Sequence, residues 1–299
     1  MNDSNVVNLN NGVRMPALGL GLFLAPAAET AASVECAVAA GYRLFDTAAA
    51  YRNERAVGEG LRRTGIPRAE VFVTTKLWVT QYGYDAARAA FYASARRLGV
   101  DYVDLYLLHW PLAGEFERTL AAYRAMEELL AEGRIRAIGV SNFLPGHLDA
   151  LCERMEVVPA VNQVELHPYF TQAATRAANA CRGIVTQSWA PIGGIYGRRP
   201  ENVPPNASHP LDHPVIAELA GTYGKTPAQV LIRWHLDHGF SVIPKSVNPD
   251  RIRANFDVFD FRLSPRDIAR IDALDTGRRA GPDPATFTAA SYVVDVDAQ

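Results

Sequence analysis

The amino-acid sequence predicts a single domain over residues 1–299, folded as a (β/α)8 barrel with a β-hairpin at its N-terminus. Short apolar segments rich in β-branched residues start roughly 24 to 32 residues apart, a spacing typical of a repeated strand–helix unit. Several of them, such as VDLYLLHW, are apolar on both faces, as are strands buried in a parallel sheet. About eight such units can be counted from Leu18 onward, and this number favours a closed barrel over a doubly wound open sheet.

Local periodicity and capping residues predict the individual elements. We expect strands near Val71–Lys76, Val103–His109, Ile135–Val140, Ala160–Val164 and Ile184–Ser188. Thr119–Leu130 is predicted to be helical, because its apolar residues recur at helical intervals. Thr226 begins another helix with a capping box and a proline at the first helical position, and Ser264 offers a similar start. Asn11 and Gly12 predict the turn of the N-terminal hairpin.

Two segments lack a regular pattern. Residues 192–214 are rich in Gly, Pro and Asn and follow a predicted strand, which places them at the C-terminal face of the barrel. A loop of this length is uncommon unless it is functional or mobile. Residues 281–299 form a C-terminal tail of mixed apolar and acidic residues, which could either pack across the barrel mouth or fray.

The composition argues against several classes of protein. Lys and Arg number 30 against 32 Asp and Glu, and this balance is unlike that of nucleic-acid-binding proteins. The sequence has no apolar segment of membrane-spanning length and does not begin with a secretory signal, so we expect a cytoplasmic protein. The three cysteines have no metal-site or disulfide spacing, and we expect buried thiols.

Two histidine pairs have a spacing that is found in metal sites. His209 and His213 are each followed by proline, which argues against a regular helix that would present both rings on one face. His235 and His238 form a second pair, and no cysteine lies near either pair in the sequence. We therefore predict no metal site.

Polar side chains follow three of the predicted strands. Asp46 ends one strand, Lys76 ends the next, and His109 ends the third, while Tyr51 lies in the loop after Asp46. Each residue alone has an ordinary structural explanation, such as a helix cap or a solvated charge. Because strand ends converge at one face of a barrel, we expect these residues to share one small volume and to form a catalytic group.

Longer motifs identify the family that the chain resembles. The segments GYRLFDTAAAYRNE, VDLYLLHWPL, GVSNF, AVNQVELHP and IPKSVNPDRIRANFDVFDFRLS resemble those of aldo-keto reductases, in the order found in that family. They cover nearly the whole chain. The segments SWAPIG and KTPAQVLIRWHLDHGF are similar to those of the bacterial 2,5-diketo-D-gluconate reductase branch.

The resemblance implies a reaction and catalytic roles. It implies an oxidoreductase that transfers a hydride from NADPH to an aldehyde, ketone or keto-sugar. Tyr51 would be the general acid, Lys76 and Asp46 would tune its pKa, and His109 would orient the carbonyl. A free phenol has a pKa of about 10, and a neighbouring ammonium lowers it toward the working pH.

The same resemblance implies the binding residues. Ser141, Asn142 and Gln163 would bind the nicotinamide carboxamide, Trp189 would stack on the ring, and Lys245, Ser246 and Arg251 would hold the 2′-phosphate. The remaining cofactor residues are Gly21, Leu22 and Asn255. The substrate pocket would be formed by Phe23, Trp78, Trp110 and Phe143.

Two positions depart from the common family pattern. Ala254 replaces an acidic residue that contacts adenine in many relatives, which predicts weaker cofactor binding. Phe23 replaces a common tryptophan, which leaves the substrate class open.

Two other functions fit parts of the sequence, and the resemblance also bears on assembly. One is an accessory or redox-sensing barrel that binds NADP without turnover. The other is an aldolase or lyase in which Lys76 forms a Schiff base. A small-molecule carbonyl compound is the expected partner, and the resemblance implies a monomer.

Overall fold

A computed structural model describes residues 5–193 and 209–298 of the chain. Within these residues the strands are β1 (Val6–Asn8), β2 (Arg14–Pro16), β3 (Leu20–Gly21), β4 (Leu44–Asp46), β5 (Phe72–Leu77), β6 (Val103–Leu108), β7 (Ile135–Ser141), β8 (Val161–Glu165), β9 (Val185–Trp189) and β10 (Ser241–Val242). The α-helices are α1 (Ala27–Ala40), α2 (Glu54–Thr64), α3 (Tyr84–Leu98), α4 (Phe116–Ala131), α5 (Pro145–Cys152), α6 (Ala173–Cys181), α7 (Pro214–Tyr223), α8 (Pro227–Asp237), α9 (Pro249–Phe256) and α10 (Pro265–Asp272).

The strands β3 to β10 form one parallel sheet in which each strand pairs with its neighbours in sequence. The sheet closes on itself where the Gly19 amide donates to the Val242 carbonyl at 2.9 Å. Gly21 continues this closure, since a Cβ there would lie 2.6 Å from the carbonyl oxygen of Ile243. The predicted (β/α)8 barrel is thereby confirmed.

The hairpin of β1 and β2 covers the N-terminal end of the barrel. Its strands pair antiparallel, and Gly12 in the turn has φ of +81°, as predicted. Leu9 and Met15 are buried in one apolar cluster with Leu44 and Leu105 of the barrel strands. The hairpin therefore closes this end of the barrel and leaves the opposite end for a site.

The predicted elements agree with the structure to within a few residues. Four of the five predicted strands begin or end one residue later than expected, and the predicted Thr119–Leu130 helix lies inside α4. Thr226 and Gln229 form the reciprocal capping box of α8, and the Ser264 hydroxyl accepts from the Asp267 amide at the start of α10.

The expectation of buried thiols was wrong. Cys36 and Cys152 are partly exposed, and Cys181 is exposed. All three lie on outer helices, each of which turns one side to solvent. Within the described ranges, no helix has the length and apolar character needed to cross a membrane.

The C-terminal tail packs across the barrel mouth. The start of the tail is held in place, because the Glu165 carboxylate accepts from the amides of Ala280 at 2.6 Å and Gly281 at 3.0 Å. Further on, Phe287 stacks on Trp110 with ring centroids 4.1 Å apart. Of the irregular 192–214 segment, residues 194–208 lie outside the described part of the chain.

Candidate active site

A cavity of about 420 Å³ opens at the C-terminal end of the barrel. Its walls come from the ends of β3, β4, β7, β8 and β9 and from the loops that follow the strands. The sequence-predicted residues that line it are Gly21, Phe23, Asp46, Tyr51, His109, Trp110, Ser141, Asn142, Gln163, Trp189 and Lys245. The strand ends of the barrel therefore bring together residues from across the sequence.

Lys76 is the centre of a buried hydrogen-bonding group beside this cavity. Its ammonium donates to Asp46 Oδ1 at 2.5 Å, to the Thr47 carbonyl at 3.0 Å and to the Tyr51 hydroxyl at 3.4 Å. The Lys76 side chain is fully buried, and the Asp46 side chain is 3% exposed. Tyr51 reaches the ammonium from a short 3-10 turn, Ala49–Tyr51, that follows β4.

Burial shifts the ionisation of both members of the Lys76–Asp46 pair. It lowers the pKa of Lys76, and the attraction and hydrogen bond of Asp46 oppose this effect. It raises the pKa of Asp46, and the charge and hydrogen bonds of its partners oppose that shift. An ammonium held this way beside a phenol can stabilise a phenolate and ease transfer of the phenolic proton.

His109 follows β6 and lies next to Tyr51. The two ring centroids are 5.6 Å apart, and the Trp78 ring meets the imidazole edge to face with centroids 5.1 Å apart. Burial, and then the charge of Lys76, hold the pKa of His109 well below its usual value. The imidazole is therefore neutral at neutral pH and can donate one hydrogen bond without carrying charge.

A group of amide side chains adjoins Asp46. Gln163 Nε2 donates to Asp46 Oδ2 and to Gln187 Oε1, each at 2.7 Å. Because both contacts use the nitrogen, the side-chain oxygen Oε1 of Gln163 has no donor among the described residues and can accept from a bound molecule. Asp46 thus joins this amide group to the Lys76 ammonium.

Asn142 is held in the left-handed region, with φ of +65°. Its Nδ2 donates to the His109 carbonyl at 3.0 Å, and its Oδ1 accepts from the indole Nε1 of Trp189 at 3.0 Å. The neighbouring Ser141 hydroxyl donates to the backbone carbonyl of Gln163 at 2.8 Å. Hydrogen bonds therefore orient the side chains on this wall of the cavity.

Two exposed cations lie near the start of α9. Lys245 lines the cavity, and Arg251 lies in the first turn of the helix. Asn248 caps α9 by accepting from the amides of Asp250 and Arg251, and its own amide donates to the Ser246 hydroxyl. Cations at a helix N-terminus suit an anionic group. Asn255 is buried near the other end of α9.

Several predicted residues do not line the cavity. Phe143 is fully buried and packs against Phe116 and His147, so its position does not support the expected role in the substrate pocket. Trp78 lies behind His109, and Leu22 contributes its amide to the Asp46 carbonyl at 3.0 Å. These residues support the wall from behind.

Other residues of the site escaped the sequence analysis. Leu24, Ile243 and Pro282 line the cavity, and Phe287 covers Trp110. The tail residues carry no periodic pattern. Their position depends on contacts with Glu165, more than a hundred residues earlier in the chain.

Comparison with known proteins agrees with this geometry. The model of the aldo/keto reductase family matches residues 17–276. Morphine 6-dehydrogenase of Pseudomonas putida is 53% identical over 97% of both chains. Methylglyoxal reductase DkgA of Escherichia coli is 44% identical over 96% of this chain and 99% of the relative.

Solved structures give the same answer. A variant of Gox0644 in complex with NADPH is 42% identical, with a TM-score of 0.86 over 95% of this chain and 98% of the other. The Bombyx mori aldo-keto reductase in complex with NADP is 34% identical, with a TM-score of 0.85 over 92% and 94% of the two chains. The family match over most of the sequence, together with these relatives, shows that the chain belongs to the aldo/keto reductase family.

Proposed function

We propose that this protein reduces the carbonyl group of an aldehyde, ketone or keto-sugar with NADPH, and that Tyr51 is the general acid. The observation that carries the proposal is the buried Lys76 ammonium, which contacts both Asp46 and Tyr51 at the cavity wall. Membership of the aldo/keto reductase family supports the class of reaction.

The residues of the site account for the proton transfer. NADPH, when bound, supplies a hydride to the carbonyl carbon, and the carbonyl oxygen then needs a proton. Tyr51 gives its hydroxyl proton to that oxygen, and Lys76 stabilises the phenolate that forms. Asp46 holds the ammonium in place, and the neutral His109 donates a hydrogen bond that orients the carbonyl.

The cavity wall fits a nicotinamide cofactor. The side-chain oxygen of Gln163, together with Ser141 and Asn142, suits the amide of a nicotinamide. The Trp189 ring offers a surface on which the nicotinamide ring can stack. Gly21 lines the cavity, and Leu22 and Asn255 complete the proposed binding set. Similar structures bound to NADPH or NADP support this assignment.

The two exposed cations favour NADPH over NADH. Lys245 and Arg251, with the hydroxyl of Ser246, suit a phosphate dianion on the adenosine ribose. Measurement of the dissociation constants for NADPH and NADH tests this preference. Replacing Arg251 with Met should weaken NADPH binding and leave NADH binding nearly unchanged, because only NADPH carries the 2′-phosphate.

Aromatic side chains form the proposed substrate end of the cavity. Phe23 meets Tyr51 edge to face with centroids 5.0 Å apart, and Trp110 lies under Phe287. Trp78 supports the wall behind His109. The names of two relatives suggest methylglyoxal and the ketone formed from morphine as trial substrates for a panel. We add 2,5-diketo-D-gluconate, from the branch that the sequence resembles, and a simple aromatic aldehyde to suit the aromatic wall.

The test is loss of NADPH absorbance with this panel, first with the natural protein and then with Tyr51→Phe. We expect Tyr51→Phe to lower kcat by at least about 100-fold, the usual contribution of a general acid, with NADPH affinity unchanged. Equal rates in the two proteins would contradict the role of Tyr51. Bound NADPH with no turnover of any carbonyl would favour the accessory function.

A Schiff-base reaction is less well supported. Lys76 is fully buried and its ammonium is bonded to Asp46, whereas a Schiff-base lysine needs an accessible neutral amine. Borohydride trapping with a carbonyl substrate tests the alternative, since labelling of Lys76 would favour an aldolase or lyase.

We also propose that the protein works as a monomeric, single-domain barrel. The hairpin and the tail both pack on the same barrel, which supports one folding unit. A single cooperative unfolding transition and a monomer mass by light scattering are the expected results.

A further inference from the structure

A second buried ion pair lies on the outer side of the barrel wall, between α2 and α3. Glu54, the first residue of α2, is fully buried, and its Oε2 accepts from Arg97 Nε at 2.7 Å. Its other oxygen accepts from the Thr75 hydroxyl at 2.6 Å. A buried pair of this kind is costly to desolvate, so its presence next to a catalytic strand calls for a reason.

The pair sits directly behind Lys76. Thr75 precedes Lys76 in β5, and successive side chains of a strand point to opposite faces. Lys76 therefore points into the barrel, while Thr75 points out to the helices and holds Glu54. One Glu54 oxygen is thus bonded to the residue next to Lys76, and Arg97 is bonded to the other oxygen.

The order of charges has an electrostatic consequence. Glu54 is the charged member of the pair that is bonded to the strand of Lys76, through Thr75, and Arg97 is bonded to Glu54. In agreement with this order, the charge of Glu54 raises the pKa of Lys76, against the lowering that burial causes. Asp46, the direct partner of Lys76, accepts a hydrogen bond from Gln163 with its other oxygen.

We propose that Glu54 is a positioning residue that supplies a second buried counter-charge to Lys76 and keeps it an ammonium beside Tyr51. The inference rests on the proposed role of Lys76 in tuning Tyr51. Without this counter-charge, Lys76 would lose its proton at lower pH and could no longer stabilise a phenolate.

The other groups around the two pairs do not replace Glu54. The groups facing Lys76 include Asp46, Tyr51 and His109, and those facing the Glu54–Arg97 pair include Thr75, Ser94, Tyr106 and Asp297. His109 is neutral, and burial holds the pKa of Tyr106 well above its usual value, so that phenol stays neutral too. Asp297 is 77% exposed and its charge is screened by water.

The proton on Lys76 can be observed directly. The chain has three lysines, Lys76, Lys225 and Lys245, so protein labelled with ¹³C at the lysine ε carbons gives few signals. The titration of each signal reports the acid constant of its amine. This measurement needs neither substrate nor turnover.

Three variants separate the charge of Glu54 from its place in the structure. Glu54→Gln removes the anion and leaves Arg97 unpaired, so the acid constant of Lys76 should rise about tenfold or more. Glu54→Gln with Arg97→Met removes both charges and keeps an acceptor for Thr75, and we expect a rise of about threefold. Arg97→Met alone leaves the anion, so the acid constant should not rise.

The alkaline limb of the pH profile of kcat/KM should move to lower pH most in Glu54→Gln, less in the double variant and not at all in Arg97→Met. A control is Asp237→Asn with Arg233→Met, which removes another buried pair, within α8, whose charges are not among those acting on Lys76. This control should leave the Lys76 signal unchanged.

An unchanged Lys76 titration in the double variant would overturn the proposal, as would a rise in Arg97→Met equal to that in Glu54→Gln. Failure of the proposed function would appear differently. The natural protein would then show no turnover, or Tyr51→Phe would be fully active, whatever the lysine titration shows.

Discussion

At the scale of single residues, Asp46 joins the two halves of the site. One carboxylate oxygen accepts from Lys76, and the other accepts from Gln163. The first contact holds the ammonium beside Tyr51, the proposed proton donor. The second contact orients the Gln163 side chain of the proposed nicotinamide site. An asparagine offers only one acceptor oxygen, which explains why a carboxylate suits this position.

Trp189 has a comparable double role. Its ring faces the cavity and its indole nitrogen donates to Asn142. Trp189→Phe retains an aromatic surface but removes the donor, so the Asn142 amide loses an orienting bond. We expect NADPH to bind about fivefold more weakly, which corresponds to one hydrogen bond of about 1 kcal/mol. Isothermal titration calorimetry measures the effect.

A matched control for this substitution is Trp234→Phe. Trp234 also donates through its indole nitrogen, to Asp272, but it is buried in the apolar cluster around α7, α8 and α10. The control should lower the free energy of unfolding and leave NADPH affinity unchanged. Equal affinity in Trp189→Phe and the natural protein would show that the indole bond has no role in binding.

At the scale of elements, α2 and α3 approach so closely that they require glycine. A Cβ on Gly58 of α2 would lie 2.2 Å from the carbonyl oxygen of Leu98 at the end of α3. This approach brings Glu54 of α2 within reach of Arg97 of α3. The helix contact is therefore part of the support of the catalytic strand.

Gly58→Ala should lower the free energy of unfolding by about 1–3 kcal/mol, because a backbone atom must move to admit the methyl group. Urea titration measures the loss. Gly221→Ala in α7 is the matched control. Outside the backbone of its own helix, no atom of the described residues lies within 4 Å of a Cβ placed there, so the change should stabilise the protein by about 0.5–1 kcal/mol. Equal effects of the two substitutions would contradict the close contact.

The C-terminal tail is a second element whose packing affects the site. Phe287 stacks on Trp110 over the proposed substrate end of the cavity. Phe287→Ala should raise KM for an aromatic aldehyde about tenfold, the loss expected for one aromatic contact, and leave NADPH affinity unchanged. Steady-state kinetics measures the change, and Thr288→Ala, an exposed neighbour, is the control. An equal rise in KM in both variants would argue against a specific role of the ring.

At the scale of the whole molecule, buried histidines make stability depend on pH. His235 of α8 is fully buried and bonds to the Pro191 carbonyl at 3.0 Å. Burial lowers the pKa of His235 to about 3. In the unfolded chain the His235 side chain takes up a proton near pH 6.5, whereas in the folded protein it does so only at about pH 3. The contribution of His235 to the free energy of unfolding is therefore fully present above pH 6.5 and is lost as the pH drops below that value.

His235→Gln tests this origin of acid sensitivity. A glutamine amide does not titrate and can still donate to the Pro191 carbonyl. We expect the variant to lose about 2 kcal/mol less stability than the natural protein between pH 7 and pH 5. Urea titrations at the two pH values give the difference. An identical loss in the two proteins would assign the acid sensitivity to other groups, such as His109, whose pKa is also lowered.

The sequence by itself determined the barrel, the caps of its helices and the strand ends that carry Asp46, Lys76 and His109. These features depend on periodicity and on neighbours a few residues apart, which a single sequence displays. The position of Tyr51 beside Lys76 followed from the family motif rather than from local pattern.

Only the tertiary structure decided which side chains meet. It placed Phe143 in the core instead of the pocket wall, and it brought Phe287 onto Trp110. It also placed Glu54 and Arg97, 43 residues apart, behind the strand of Lys76. Such contacts depend on how helices and loops pack on the closed barrel, and no local pattern encodes that packing.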